Sequence, residues 1–257
     1  MRSLLSNPLD RWLAPAPLPG RADWLRGATF AHRGLHGPGV PENSPTAFRA
    51  AIARGLGIEC DVQRSADGQA MVFHDWTLER LTAQAGPVMG QTAAQLGGIT
   101  LTGGDDTIPT LRQMLDMVAG RVPLLIEVKS RRERHPEPLC LAVHRALEGY
   151  TGQFAVMSFD PRVPKWFFIH APLIVRGLVV TEENDRALPG RLRRHLALWH
   201  ARPDFLAYDV RDLPSRFAEA QRQRGMPVAS WTVRSPEHRD RVARHADAAI
   251  AEGAGVA

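Results

Sequence analysis

Cysteine is almost absent: Cys60 and Cys140 are the only two in 257 residues. A disulfide-stapled scaffold and a cysteine-rich zinc module are thereby excluded, and a reducing, cytoplasmic setting is expected. Long apolar runs are missing as well. The uncharged stretch 83–104 is rich in Gly, Gln and Thr, and the run from Trp166 to Val175 is too short to span a bilayer. Near the N-terminus, Asp10, Arg11 and the prolines around them interrupt any run that could form the core of an export signal. Neither export nor stable membrane insertion is expected. Basic residues are scattered, with no aromatic-interleaved RNA motif and no zinc-finger spacing, so no nucleic-acid partner is expected. The excess of 32 Lys+Arg over 27 Asp+Glu, a net +5, suits a small anionic ligand such as a phosphate ester.

What is present is a folding chain, with 44% hydrophobic and 23% charged residues. Short apolar, β-branched runs recur at 28–34, 57–62, 123–129, 154–159, 175–180, 205–210, 227–233 and 247–253. Helix signals separate most of them, the clearest being Ser44 as N-cap with Pro45 at the first helical position. Alternating strands and helices, with the strands apolar on both faces, argue for a parallel sheet covered by helices. At this length the expected fold class is α/β, a (β/α)8 TIM barrel over residues 27–257. Residues 1–26 read as an N-terminal arm, and no room remains for an eighth helix after the last strand. Leu4, Leu5, Leu9, Trp12 and Leu13, near Arg2 and Arg11, read either as a packed arm or as a small interfacial face. The apolar run 166–175 reads as core.

The second strand departs from a simple crossover. Asp67-Gly68 between extended residues is a hairpin signal, so the chain folds back and returns His74 to the rim where Glu59 and Asp61 end their strand. A small insertion, or lid, then occupies about 76–109.

Residues two apart in a strand share a face, which places Glu59 with Asp61 and Glu127 with Lys129. Among neighbours as apolar as Ile58, Val62, Leu125, Ile126 and Val128, bare carboxylates need a compensating cation. Three carboxylates from two strands suit one hard, oxygen-coordinated divalent ion, Ca²⁺ or Mg²⁺ rather than zinc. Taken singly, either pair also reads as an internal salt bridge to Lys129 or Arg33. His32 closes the first strand and His74 falls at the same rim; two imidazoles can serve the attacking and the leaving side of one phosphorus.

These residues carry a resemblance. HRG at 32–34, PENS at 41–44 with AF at 47–48, GIECDVQRSADGQAMVFHD at 57–75, IPTL at 108–111, LLIEVK at 124–129 and SWTV at 230–233 form a collinear set similar to the glycerophosphodiester phosphodiesterase family. The resemblance implies a metal-dependent phosphodiesterase on a TIM barrel. Its expected substrates are glycerophosphocholine, glycerophosphoethanolamine and related small glycerophosphodiesters, released as glycerol 3-phosphate and an alcohol. It further implies His32 and His74 as the acid/base pair, Glu59, Asp61 and Glu127 as ligands of Ca²⁺ or Mg²⁺, and Arg33 and Lys129 as phosphate holders. His32 is taken as base and His74 as acid. Attack by water and attack by the glycerol 2-hydroxyl through a cyclic phosphate are both compatible with the residues.

Where many members read WTVN this chain has Arg234, which puts a cation at the site mouth. Trp231 reads either as a stacking surface for the head group or as packing. RRERH at 131–135 follows the IEVKS segment at the rim, either as a solvated loop or as an attractor for anionic substrate. The excursion is short beside the inserted domain of larger exported members, which favours a compact cytoplasmic type. A related barrel phospholipase acting on intact lipid, and a catalytically silent phosphate-binding barrel, are the alternatives. Oligomeric state is not encoded in any feature of the chain.

Overall fold

A computed structural model of the protein describes residues 8–131, 133–183 and 187–256. Its strands are β1 (Thr29–His32), β2 (Gly57–Arg64), β3 (Ala70–Val72), β4 (Leu124–Val128), β5 (Phe154–Ser158), β6 (Val175–Val180), β7 (Phe205–Asp209), β8 (Val228–Val233) and β9 (Ala248–Ala251). Its helices are α1 (Pro8–Leu13), α2 (Pro45–Ala53), α3 (Ala93–Gly97), α4 (Leu111–Val118), α5 (Glu137–Leu147), α6 (Arg162–His170), α7 (Leu188–Ala201), α8 (Arg216–Arg222) and α9 (Pro236–His245). Each expected strand is present close to its expected bounds, and only a short 3-10 turn, Gly253–Gly255, follows β9. Among the described residues no helix is long and apolar enough to cross a membrane.

The chain divides into two compact units, residues 30–154 and residues 1–29 with 155–257. In the first, β1 and β4 flank β2 in parallel, with His32 opposite Glu59 and Asp61 opposite Glu127. Laterally paired residues of a parallel sheet point to the same face, so this register gathers the acidic side chains on one side. Beyond Asp61 the Asp67-Gly68 turn reverses the chain, Gly68 taking φ +86°, and β3 pairs antiparallel with the end of β2. The following excursion carries its own small core of Phe73, Leu78, Val88, Leu96 and Leu101. At α2, Ser44 accepts the Ala47 backbone N–H at 3.1 Å with Pro45 as the first helical residue.

In the second unit β5 to β9 form a parallel succession in chain order. The run 166–175 corrects the expectation of core. Most of its first half is helical in α6, and a helix buries one face: Phe167 is enclosed while Ile169 and Leu173 are 56% and 89% exposed. The arm also differs from a simple apolar contact. Helix α1 does form, and it packs through Asp10, whose buried carboxylate accepts from His195 Nδ1 (2.9 Å), Trp199 Nε1 (2.7 Å) and Gln221 Nε2 (3.0 Å). Leu9 and Trp12 face solvent, whereas Arg2, Leu4 and Leu5 lie outside the described residues.

Candidate active site

The carboxylate oxygens of Glu59, Asp61 and Glu127 lie within 4.8 Å of one another, and all three residues are buried. The register described above explains the convergence: period-two alternation sends Glu59 and Asp61 to one face of β2, and Glu127 sits beside Asp61 on β4. Two cations compensate them. Lys129 Nζ reaches Asp61 Oδ1 at 2.8 Å and Glu127 Oε1 at 2.7 Å, and Arg33 Nε lies 3.2 Å from Asp61 Oδ2. Internal salt bridges and a carboxylate cluster therefore coexist in one site.

The compensation is uneven. Burial raises the Asp61 carboxyl, but Lys129 and Arg33 outweigh it and hold Asp61 below its usual range. Glu59 is pushed well above its usual range by burial and then by the charges of Asp61 and Glu127. Its Oε2 accepts the Arg33 backbone N–H at 3.1 Å and stands 3.9 Å from His32 Nε2. Three buried oxygen donors against two cations fit a hard divalent ion, whose charge would ionise Glu59.

Backbone geometry sets the first loop. Arg33 and Gly34 both adopt left-handed φ, +56° and +77°, directly after His32. At Gly34 a Cβ would meet Ala47 Cβ at 2.8 Å, so only glycine fits the close approach to α2. The turn aims the Arg33 N–H at Glu59 while its guanidinium reaches Glu42 Oε1 at 2.7 Å. Asn43, also left-handed at φ +56°, donates through Nδ2 to Asp61 Oδ2 at 2.9 Å and accepts the Asp61 backbone N–H at 3.2 Å.

His74 stands at the return of the hairpin. Its Nδ1 meets Asp75 Oδ1 at 2.6 Å, and Arg80 clasps both Asp75 and Glu42, the latter at 2.8 and 3.0 Å. Arg80 thus ties the His74 loop to the Arg33 loop. Burial, aided by Lys129 and Arg33, draws the His74 imidazole below its ordinary value despite Asp61 and Asp75. Arg80 and His74 hold the Asp75 carboxyl down at about 2. Gln63 pins the same loop by donating to the carbonyls of His74 (3.0 Å) and Asp75.

Seven of the expected site residues, His32, Arg33, Glu59, Asp61, His74, Glu127 and Lys129, lie in the first unit and are connected by these contacts or by charge. Trp231 belongs to the other unit. There its Nε1 donates to the Ala207 carbonyl at 2.9 Å and its ring meets Phe159 edge-on at 5.4 Å. Arg234 pairs with Glu252 Oε1 at 2.6 Å, which offsets the cation that the sequence places at the mouth. Glu42, Asn43, Gln63, Asp75 and Arg80 went unassigned in the sequence reading. PENS and FHD contain three of them, and Gln63 lies two residues beyond Asp61 on the same strand face.

Comparison with known proteins follows the same line. Residues 32–256 match the Glycerophosphoryl diester phosphodiesterase family. The chain is 35% identical over 229 residues to a glycerophosphodiester phosphodiesterase of Caldanaerobacter subterraneus subsp. tengcongensis, spanning 85% of this chain and 90% of that protein. It is 39% identical over 116 residues to one from Bacillus altitudinis, a match spanning 42% of this chain and 47% of the relative. A solved Oleispira antarctica phosphodiesterase in complex with the product sn-glycerol-3-phosphate gives a TM-score of 0.78 at 22% identity, over 90% of this chain and 94% of that one. A Thermotoga maritima glycerophosphodiester phosphodiesterase gives 0.69 at 25% identity, over 87% and 93%. The fold is the expected closed parallel (β/α)8 barrel with helices between its strands. On the family match and the identity across most of a full-length relative, the chain is a phosphodiesterase and belongs to the glycerophosphoryl diester phosphodiesterase family.

Proposed function

We propose that the protein hydrolyses small glycerophosphodiesters, such as glycerophosphocholine and glycerophosphoethanolamine, to glycerol 3-phosphate and an alcohol. Residues 27–257 act as the catalytic domain, with 76–109 as an insertion and 1–26 as an arm. The observation that carries the reading is the convergence of Glu59, Asp61 and Glu127 beside His32, with Arg33 and Lys129 supplying positive charge. The product named for the Oleispira antarctica structure supports the same reaction class.

Glu59, Asp61 and Glu127 would hold Ca²⁺ or Mg²⁺, which when bound supplies charge opposite a phosphoryl oxygen and lowers the pKa of a coordinated hydroxyl. Arg33 and Lys129 hold the phosphate and favour the charge that accumulates on it in the transition state. His74 accepts the proton of the attacking hydroxyl. Its Nδ1 is engaged by Asp75, which leaves Nε2 for chemistry and stabilises the imidazolium that forms, while the depressed pKa keeps the resting ring neutral. His32 protonates the departing oxygen. These contacts favour the reverse of the order taken from sequence.

The test is turnover of glycerophosphocholine, followed as glycerol 3-phosphate, before and after chelation and with Ca²⁺ or Mg²⁺ restored. Cleavage that stops on chelation and returns with metal is the expected result. Cleavage of intact lipid vesicles alone, or of no phosphodiester, overturns the reading.

A further inference from the structure

Resting on the function proposed above, a second cavity bears on which alcohol the enzyme prefers. It has a volume of about 340 Å³ and begins at Lys129, the residue that bridges Asp61 and Glu127. Its walls come from Arg64 at the end of β2, Trp76 just after the His74 loop, and the segment following β4. Arg134 Nη1 contacts Met89 Sδ, which joins that segment to the excursion across the cavity.

The lining is strongly basic. Arg64, Arg131 and Arg134 face one carboxylate, Glu133, while Lys129 is already balanced by the acidic cluster. The Nε of Arg64 is buried and has no hydrogen-bond partner among the described residues. A cationic head group would need an open aromatic face, and Trp76 is the ring available. That face is taken: the Arg131 guanidinium lies 4.4 Å from the Trp76 ring centroid.

We infer that this cavity receives the alcohol portion of the substrate and selects alcohols that carry a second anionic group. The phosphate held at Lys129 stands at its mouth, and three guanidiniums can meet a further phosphate or carboxylate by charge-assisted hydrogen bonds.

Two substrates isolate the effect, because both present a glycerol oxygen as leaving group. Glycerophosphoglycerol releases neutral glycerol. Bis(glycerophospho)glycerol, with one water consumed and one P–O bond broken, gives glycerol 3-phosphate and glycerophosphoglycerol, whose remaining phosphodiester is anionic. The expected kcat/KM ratio favours the bis compound by about 5- to 10-fold at low salt, carried mainly by KM and shrinking as salt rises. Glycerophosphocholine falls below both. In the double variant Arg131→Gln/Arg134→Gln the ratio collapses toward about 1, and a melting curve checks that the variant is folded. Should the double variant fail to fold, Arg131→Glu alone is expected to lower the ratio.

Equal kcat/KM for the two glycerol compounds, a preference for the choline ester, or a preference that survives in folded variants overturns the inference and leaves the proposed function standing. Cleavage of none of the three overturns both.

Discussion

His74 Nδ1 and Asp75 Oδ1 stand 2.6 Å apart, and Arg80 fixes the far side of the same carboxylate. Adjacent residues on a tight return rarely meet through their side chains without outside help. Here Gln63 holds the loop carbonyls from β2 and Arg80 anchors the carboxylate to Glu42. Asp75 is thus a positioning residue for a ring that moves a proton.

Replacing Asp75 by Asn is expected to lower kcat by about 100-fold, within the usual range for losing an oriented acid/base group. The carboxylate raises the His74 pKa, so its loss shifts the acid limb of the pH profile of kcat/KM to lower pH. An unchanged limb in a folded Asp75→Asn protein would remove Asp75 from the proton pathway.

Divalent-ion binding should release protons. Glu59 is held above its usual range in the metal-free protein, and a metal ligand must be ionised. Affinity therefore rises with pH until Glu59 ionises by itself. Calorimetry in buffers of different ionisation enthalpy reads the proton count, and Glu59→Gln should weaken binding by more than the ~10–100-fold typical of an outer-shell partner. Binding that releases no proton at mildly acidic pH contradicts the assignment.

Asn43 links the first loop to Asp61 from a left-handed backbone. Asn43→Ala loses both hydrogen bonds, at about 1–3 kcal/mol, and adds about 1–2 kcal/mol from placing a Cβ at positive φ. Asn43→Gly loses the bonds without that backbone penalty. Denaturant titration should rank wild type above the glycine variant and the glycine variant above the alanine variant; equal losses would show that the backbone contributes nothing.

Asp10 should make stability acid-sensitive. Burial raises its pKa, but hydrogen bonds from His195, Gln221 and Trp199 outweigh it and leave the folded value below the ordinary 3.8. The stabilisation is whole above 3.8 and is lost as pH falls through the lowered value. Asp10→Ala is expected to cost about 1–3 kcal/mol at neutral pH by leaving buried donors unpaired. Melting curves at pH 3 and pH 7 should show the wild-type advantage shrinking; an equal advantage at both would disprove the linkage.

Much of this site was legible in one dimension. Strand parity is a local property, so Glu59 with Asp61 and Glu127 with Lys129 followed from spacing alone, and Asp67-Gly68 announced the reversal that returns His74. Apolar neighbours around acidic residues signalled a cation. Helix α6 was hidden for the converse reason: WFFIH has no polar stripe by which to read a helical face.

Tertiary structure decided how the charges are shared. Arg33 had several carboxylates in prospect and divides itself between Asp61 and Glu42; Arg80 reaches across 38 positions to Glu42 and closes the link to Asp75. Backbone period and turn chemistry are set by neighbours in sequence. The choice among competing ionic partners depends on distances and burial that exist only once the strands have paired.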